Sequence, residues 1–157
     1  MNAKPAQKIY EPEEVLPQRG IMLFIDKINY WSDEKTECAV IAGKNGAFVD
    51  DKNQIPSWVG LEYMCQAIAA LEGIRRKEAD QSILLSFVLG SRRIESKTPF
   101  FTLNQYLLVE ITNEMRSENG LGVYSCIISS ERKTIMSALI KGVMPVDTST
   151  VINRGLI

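Results

Sequence analysis

The stretch Pro56-Ser57-Trp58-Val59-Gly60-Leu61-Glu62-Tyr63-Met64-Cys65-Gln66-Ala67-Ile68-Ala69-Ala70-Leu71-Glu72-Gly73 decides how the rest of the chain is read. Leu61, Met64, Ile68 and Leu71 recur at helical spacing, and Val59, Tyr63, Cys65, Ala67, Ala69 and Ala70 make the remaining faces nearly as apolar. A proline suits the entry to such a helix. Gly73 is a possible stop, although Ile74-Arg75-Arg76-Lys77-Glu78 can extend the helix, which we place at about residues 57–78. A helix apolar on every side is buried on every side. Glu62 and Gln66 interrupt it four residues apart and so share a face. A carboxylate on a buried helix is costly unless it is paired or hydrogen-bonded, which makes Glu62 the foremost candidate for chemistry. The plainer alternative is a first-turn glutamate that complements the helix dipole and leans on Gln66.

The 157 residues suffice for one domain with a sizeable core. A net charge of -1 gives no reason to expect nucleic-acid binding. No apolar run approaches the ~20 residues that span a bilayer, and the N-terminus lacks the apolar core of a signal peptide. Three cysteines without Cys-x-x-Cys spacing suit a reducing cytoplasm. There is no histidine. This excludes Ser-His-Asp and Cys-His nucleophile pairs and mixed Cys/His zinc sites, and three scattered thiols do not make a Cys-only one. No metal or cofactor site is expected. Catalysis has to come from carboxylates, amides, hydroxyls, backbone dipoles or a partner chain.

Along the chain, residues 1–10 are polar and read as loose. Glu11 to Leu16 reads as a short helical turn, and Ile21 to Trp31 as a strand entering and leaving a core. Thr36, Cys38, Val40 and Ala42 alternate in a second strand. After the helix, Ser82 to Gly90 reads as a near-continuous apolar strand that Arg92 to Glu95 prolong, and Thr98 to Phe101 as a loop. Leu103 to Ile111, Leu121 to Ser129 and Lys133 to Met144 are further strands, joined at Asn119-Gly120 and Ser130-Glu131-Arg132. The tail after Pro145 reads as peripheral. Short hairpins imply an antiparallel sheet, and a helix buried all round implies that the sheet curves around it: an α+β domain. The open edge of such a sheet predicts a dimer.

In that setting the motifs resemble the hotdog-fold 3-hydroxyacyl-acyl-carrier-protein dehydratases. Leu16-Pro17-Gln18-Arg19-Gly20-Ile21-Met22-Leu23-Phe24-Ile25-Asp26 is similar to the group's opening L-P-H-R-x-P-[FM]-L-L-[IV]-D, and Gly60 to Gln66 to its helix motif G-[VI]-[IL]-E-x-[MA]-A-Q. The match is closer to the dehydratase-like proteins of aryl-polyene clusters, in Pro56 to Ala70 and in Leu89-Gly90-Ser91-Arg92-Arg93-Ile94-Glu95. The resemblance runs from about Leu16 to Pro145 and implies a single hotdog domain over residues 1–157 with its core at about 16–145.

It further implies that Glu62 is the acid or base of the active site, oriented by Gln66. Trp58, Val59 and Gly60 at the helix N-terminus would polarise a thioester carbonyl, with Gly60 giving it room to approach the backbone. Gly90 and Arg92 are the further substrate-binding candidates. Arg92 or Arg93 would meet a carrier protein's acidic face or its phosphopantetheine phosphate, the alternative being a solvated strand end. The two positions where the wider family places histidine are empty here: no Gly-His-Phe-Pro-Gly loop precedes the helix, and the other position is Gln18. Gln18, Tyr63 and Asp50 are weaker stand-ins, and Cys65 reads as an inert core thiol. The expected function is a 3-hydroxyacyl-acyl-carrier-protein dehydratase of a fatty-acid or polyene type pathway. The substrate is a thioester of acyl carrier protein or CoA, and the protein works as a homodimer or as a heterodimer with a homologous dehydratase. The alternatives are a non-catalytic hotdog subunit beside an active homologue and a hotdog acyl thioesterase.

Overall fold

In this computed structural model, which describes residues 7–144, the first elements are α1 (Pro12–Val15), a 3-10 turn (Gly20–Met22), β1 (Lys27–Trp31), β2 (Lys35–Ile41) and β3 (Gln54–Pro56). The long helix α2 (Val59–Glu78) follows, then β4 (Phe87–Ser96), β5 (Phe100–Thr102), β6 (Tyr106–Arg116), β7 (Leu121–Ser130) and β8 (Lys133–Val143). Six strands form one antiparallel sheet in the order β1-β2-β6-β7-β8-β4, and β3 pairs with β5 apart from it. The architecture is the α+β hotdog arrangement expected from the sequence, an antiparallel sheet packed on one main helix.

Period-two patterning explains how the sheet grips the helix. Leu107, Val109 and Ile111 of β6, Tyr124, Cys126 and Ile128 of β7, and Met136, Ala138 and Ile140 of β8 are all buried, while the residues between them are partly or fully exposed. They meet a helix that buries Val59, Tyr63, Met64, Ala67, Ala70, Leu71 and Ile74. Gly73 does not end this helix. A Cβ there would lie 2.1 Å from the Val15 carbonyl oxygen, so the glycine lets α1 lie directly on α2. The helix runs on to Glu78, with Arg75, Arg76 and Lys77 in its last turn to complement the dipole.

Several local expectations are corrected. Ile21 to Trp31 is not one strand: Gly20 turns with φ +59°, Ile21 and Met22 stay exposed, and pairing begins only at Lys27. The strand expected from Ser82 begins at Phe87 and runs to Ser96, and it is exposed along nearly all its length. Among the described residues it is an edge strand paired only with β8, so its apolar content does not bury it there. Thr98 to Phe101 is not all loop, because Phe100–Thr102 forms β5. Residues 1–10 are not loose throughout, since Tyr10 is buried and packs at a tilt against Trp31. The tail after Pro145 lies outside the described residues.

Candidate active site at the start of α2

Glu62 stands in the first turn of α2, half-buried, and its Oε1 accepts a hydrogen bond of 2.8 Å from Gln66 Nε2. One helical turn separates them, as the spacing requires. Gln66 is completely buried and uses its whole amide: Nε2 also donates to the Met22 carbonyl at 2.7 Å, and Oε1 accepts from Phe24 N–H at 2.9 Å. One side chain therefore fixes the Met22–Phe24 segment to the helix and holds the carboxylate one turn before it. A donor spent on two acceptors this way is rigid.

Glu62 lines a small cavity of about 130 Å³ with Gln18, Cys65, Ile68, Ser86, Phe87, Val88, Ile140 and Gly142. It is the one carboxylate there among the described residues. Burial chiefly, and then the Glu62 charge, pushes the Cys65 thiol up to about 12, which leaves it protonated and unreactive at neutral pH. Tyr63 is likewise pushed up to about 12, mainly by burial and secondarily by Asp26, so it has no tendency to ionise at neutral pH. Asp50 is occupied elsewhere, its Oδ1 accepting the N–H groups of Lys52 and Gln54 at 2.9 and 2.8 Å.

The other residues singled out in the sequence fall in different places. Val59 and Gly60 are buried, and Trp58 is exposed, edge-on to Phe48. None of the three lines the cavity. A Cβ on Gly60 would meet Met136 Sδ at 2.6 Å and Ile128 and Phe101 at 3.0 Å, so packing against the sheet accounts for this glycine. Its N–H is already donated to the Ser57 carbonyl at 2.9 Å. Gly90 and Arg92 pair with Lys141 and Leu139, whereas the cavity residues Val88, Gly142 and Ile140 belong to the alternate positions of the same ladder. Residues directly opposite share a face. Gly90 and Arg92 thus lie on the side of the sheet away from Glu62, in an open groove of about 460 Å³ with Leu89, Val123 and Leu139.

Two features were not legible beforehand. Ser86, Phe87 and Val88 reach the cavity because the chain returns there after α2, which no local pattern announces. At the other end of the helix, Glu72 is buried and accepts from Tyr124 Oη at 3.0 Å, from Arg116 at 2.5 Å and from Arg75 at 3.2 Å. The Glu72–Arg75 spacing of three was the available signal. Among the described residues no group of histidine, cysteine or acidic side chains is placed to hold a metal ion, and no helix is long and apolar enough to cross a membrane.

Comparison with known proteins agrees with the fold. A dehydratase heterocomplex, ApeI:P from Xenorhabdus doucetiae, superposes with a TM-score of 0.87 at 22% identity, over 94% of this chain and 98% of that one. Cj0977, a sigma28-regulated virulence protein from Campylobacter jejuni, gives 0.65 at 14% identity over 87% and 96% of the two chains. A hypothetical thioesterase from Streptococcus pneumoniae, solved with coenzyme A, gives 0.57 at 10% identity over 75% and 84%. At such identities these likenesses speak for the fold. No curated protein matches the sequence. Residues 10–153 match the family described as ApeP-like, ApeP dehydratase, and the chain belongs to that family.

Proposed function

We propose that the chain is a 3-hydroxyacyl-acyl-carrier-protein dehydratase of a fatty-acid or polyene type pathway, with Glu62 acting as base and then as acid. The observation that carries this reading is the Glu62–Gln66 pair at the wall of a small cavity in which no other carboxylate of the described residues takes part. In the first step Glu62 takes the proton from C2, and the electron pair of that C–H bond passes to the thioester oxygen as an enolate. Glu62 then returns the proton to the 3-hydroxyl oxygen as the C3–O bond breaks. Water and the enoyl thioester leave, and the carboxylate is restored. One group serves twice because no histidine exists to share the work. The dipole of α2 favours the developing oxyanion. Gly60 N–H is committed to Ser57 and none of Trp58, Val59 and Gly60 lines the Glu62 cavity, so the start of the helix acts on the oxygen through its dipole rather than through direct hydrogen bonds.

A second reading has support of its own. Among the described residues β4 is a sheet edge paired on one side only, with Val88, Leu89 and Ile94 exposed, and its first residues line the Glu62 cavity. A partner pairing along β4, either a second copy or a homologous dehydratase, would close that cavity and could supply the missing acid or base. In the heterodimeric form this chain becomes a supporting subunit, an assembly for which the ApeI:P heterocomplex is the precedent. Arg92 and Arg93, exposed on β4, are the proposed contacts for a carrier protein.

Mass spectrometry of a 3-hydroxyacyl carrier protein incubated with the purified chain separates the readings. Loss of one water supports the dehydratase. Release of the free carrier thiol means a thioesterase. An untouched substrate that loses water only once a homologous dehydratase is added means the supporting subunit.

A further inference from the structure

Among the described residues two buried side-chain polar atoms lack a hydrogen-bond partner, Gln18 Oε1 and Arg116 Nε. Arg116 belongs to the ion-pair network of Glu72, where its Nη2 is bonded. Gln18 has no such compensation. It follows α1 in the turn Pro17-Gln18-Arg19, lines the cavity over Glu62, and leaves its amide oxygen unsatisfied. A buried acceptor without a donor is costly and uncommon in native proteins. The rest of the lining does not relieve it: Phe87, Val88, Ile68 and Ile140 are apolar, and neither Ser86 nor Cys65 is bonded to it. The amide plane of a glutamine turns at little cost about its last torsion, so a donor that entered the cavity would be met.

We propose that Gln18 binds the 3-hydroxyl of the substrate, its amide oxygen accepting the hydroxyl hydrogen and turning the oxygen lone pairs toward Glu62. The assignment rests on the dehydratase reading above. It fits the stoichiometry of that reaction. The substrate hydroxyl has one hydrogen to give and needs one proton from Glu62. The water formed has two hydrogens, and Gln18 and the restored carboxylate are two acceptors for them. A saturated acyl chain brings no donor and leaves the Gln18 oxygen unsatisfied, so the residue also selects hydroxyacyl over saturated ligands. A volume of about 130 Å³ admits only the reacting end of the chain.

The test is binding rather than turnover. The full-length chain is titrated with 3-hydroxybutyryl and butyryl pantetheine amides, in which an amide replaces the labile thioester. Wild type is expected to favour the hydroxylated probe about fivefold to tenfold, the worth of one hydrogen bond. Gln18→Leu should bring the two affinities within about twofold while leaving that for butyryl unchanged. Gln18→Asn, which keeps an amide one methylene shorter, should show an intermediate preference and serves if the leucine variant does not fold. A Gln18→Leu protein that folds and keeps the full preference overturns the assignment and leaves the dehydratase reading standing. A wild-type protein that binds neither probe removes the dehydratase reading, and this inference with it.

Discussion

At the scale of single residues, Gln66 is the most constrained polar group near the site. Gln66→Ala would strand the Phe24 N–H and the Met22 carbonyl and release Glu62. Leaving buried groups unsatisfied costs roughly 1–3 kcal/mol, which chemical denaturation would register. Gln66→Glu should fail to rescue it, because a carboxylate cannot donate to Met22 or to Glu62. The thiols give a second prediction. Cys38 and Cys65 are both pushed from 9.0 to about 12 by burial, and Cys126 is pushed up for the same reason. The folded state therefore holds protons that the unfolded state releases, so stability is full below pH 9 and falls as pH rises from there toward 12. Thermal melts across that range should show the fall. Thiol reagents should find the cysteines silent in the native protein at neutral pH and reactive after denaturation. The residue scale is also where the sequence was most informative about the site. The spacing of Glu62 and Gln66 on an apolar helix announced their contact, but it could not announce the role of Gln66 in pinning Met22 and Phe24, forty-odd residues away in sequence.

At the scale of elements, close approach explains Gly73 better than any turn. Gly73→Ala would drive a Cβ into the Val15 carbonyl, a backbone atom that cannot rotate away. Such overpacking costs about 1–3 kcal/mol and should lower the melting temperature. Gly60→Ala presses on the movable end of Met136 and should cost less. The long elements were legible because their patterns are strong: α2 by its unbroken apolarity, and β6 to β8 by alternation and by Asn119-Gly120, where Gly120 adopts φ +83°. The three-residue strands β3 and β5 were not, since three residues carry no period. Ile21 to Trp31 misled because its apolar residues serve three purposes in turn: an exposed turn, the core residues Phe24 and Ile25, and an edge strand.

At the scale of the whole molecule, the exposed edge at β4 is the feature that bears on assembly. Its apolar run is exposed among the described residues, which is the condition the proposed pairing requires. If the proposed pairing holds, Leu89→Lys with Ile94→Lys should leave the fold intact, because both side chains are already exposed. Sedimentation should then show the wild type as an assembly and the double variant as a single chain. A wild type that sediments as a monomer both alone and with a homologous dehydratase would argue against the pairing. The groove at Gly90 and Arg92 lies on the same strand but on the far side of the sheet from Glu62. Carrier recognition and chemistry would then be divided between the two faces of one edge.

The most direct measurement compares wild type with Glu62→Gln for loss of water from a 3-hydroxyacyl carrier protein, followed by mass. Glutamine keeps the size of the side chain and removes its capacity to take and return a proton. Water loss is expected to fall by about 10²- to 10⁴-fold in the variant while its melting temperature changes little. Equal rates for the two folded proteins would contradict the assignment of the chemistry to Glu62.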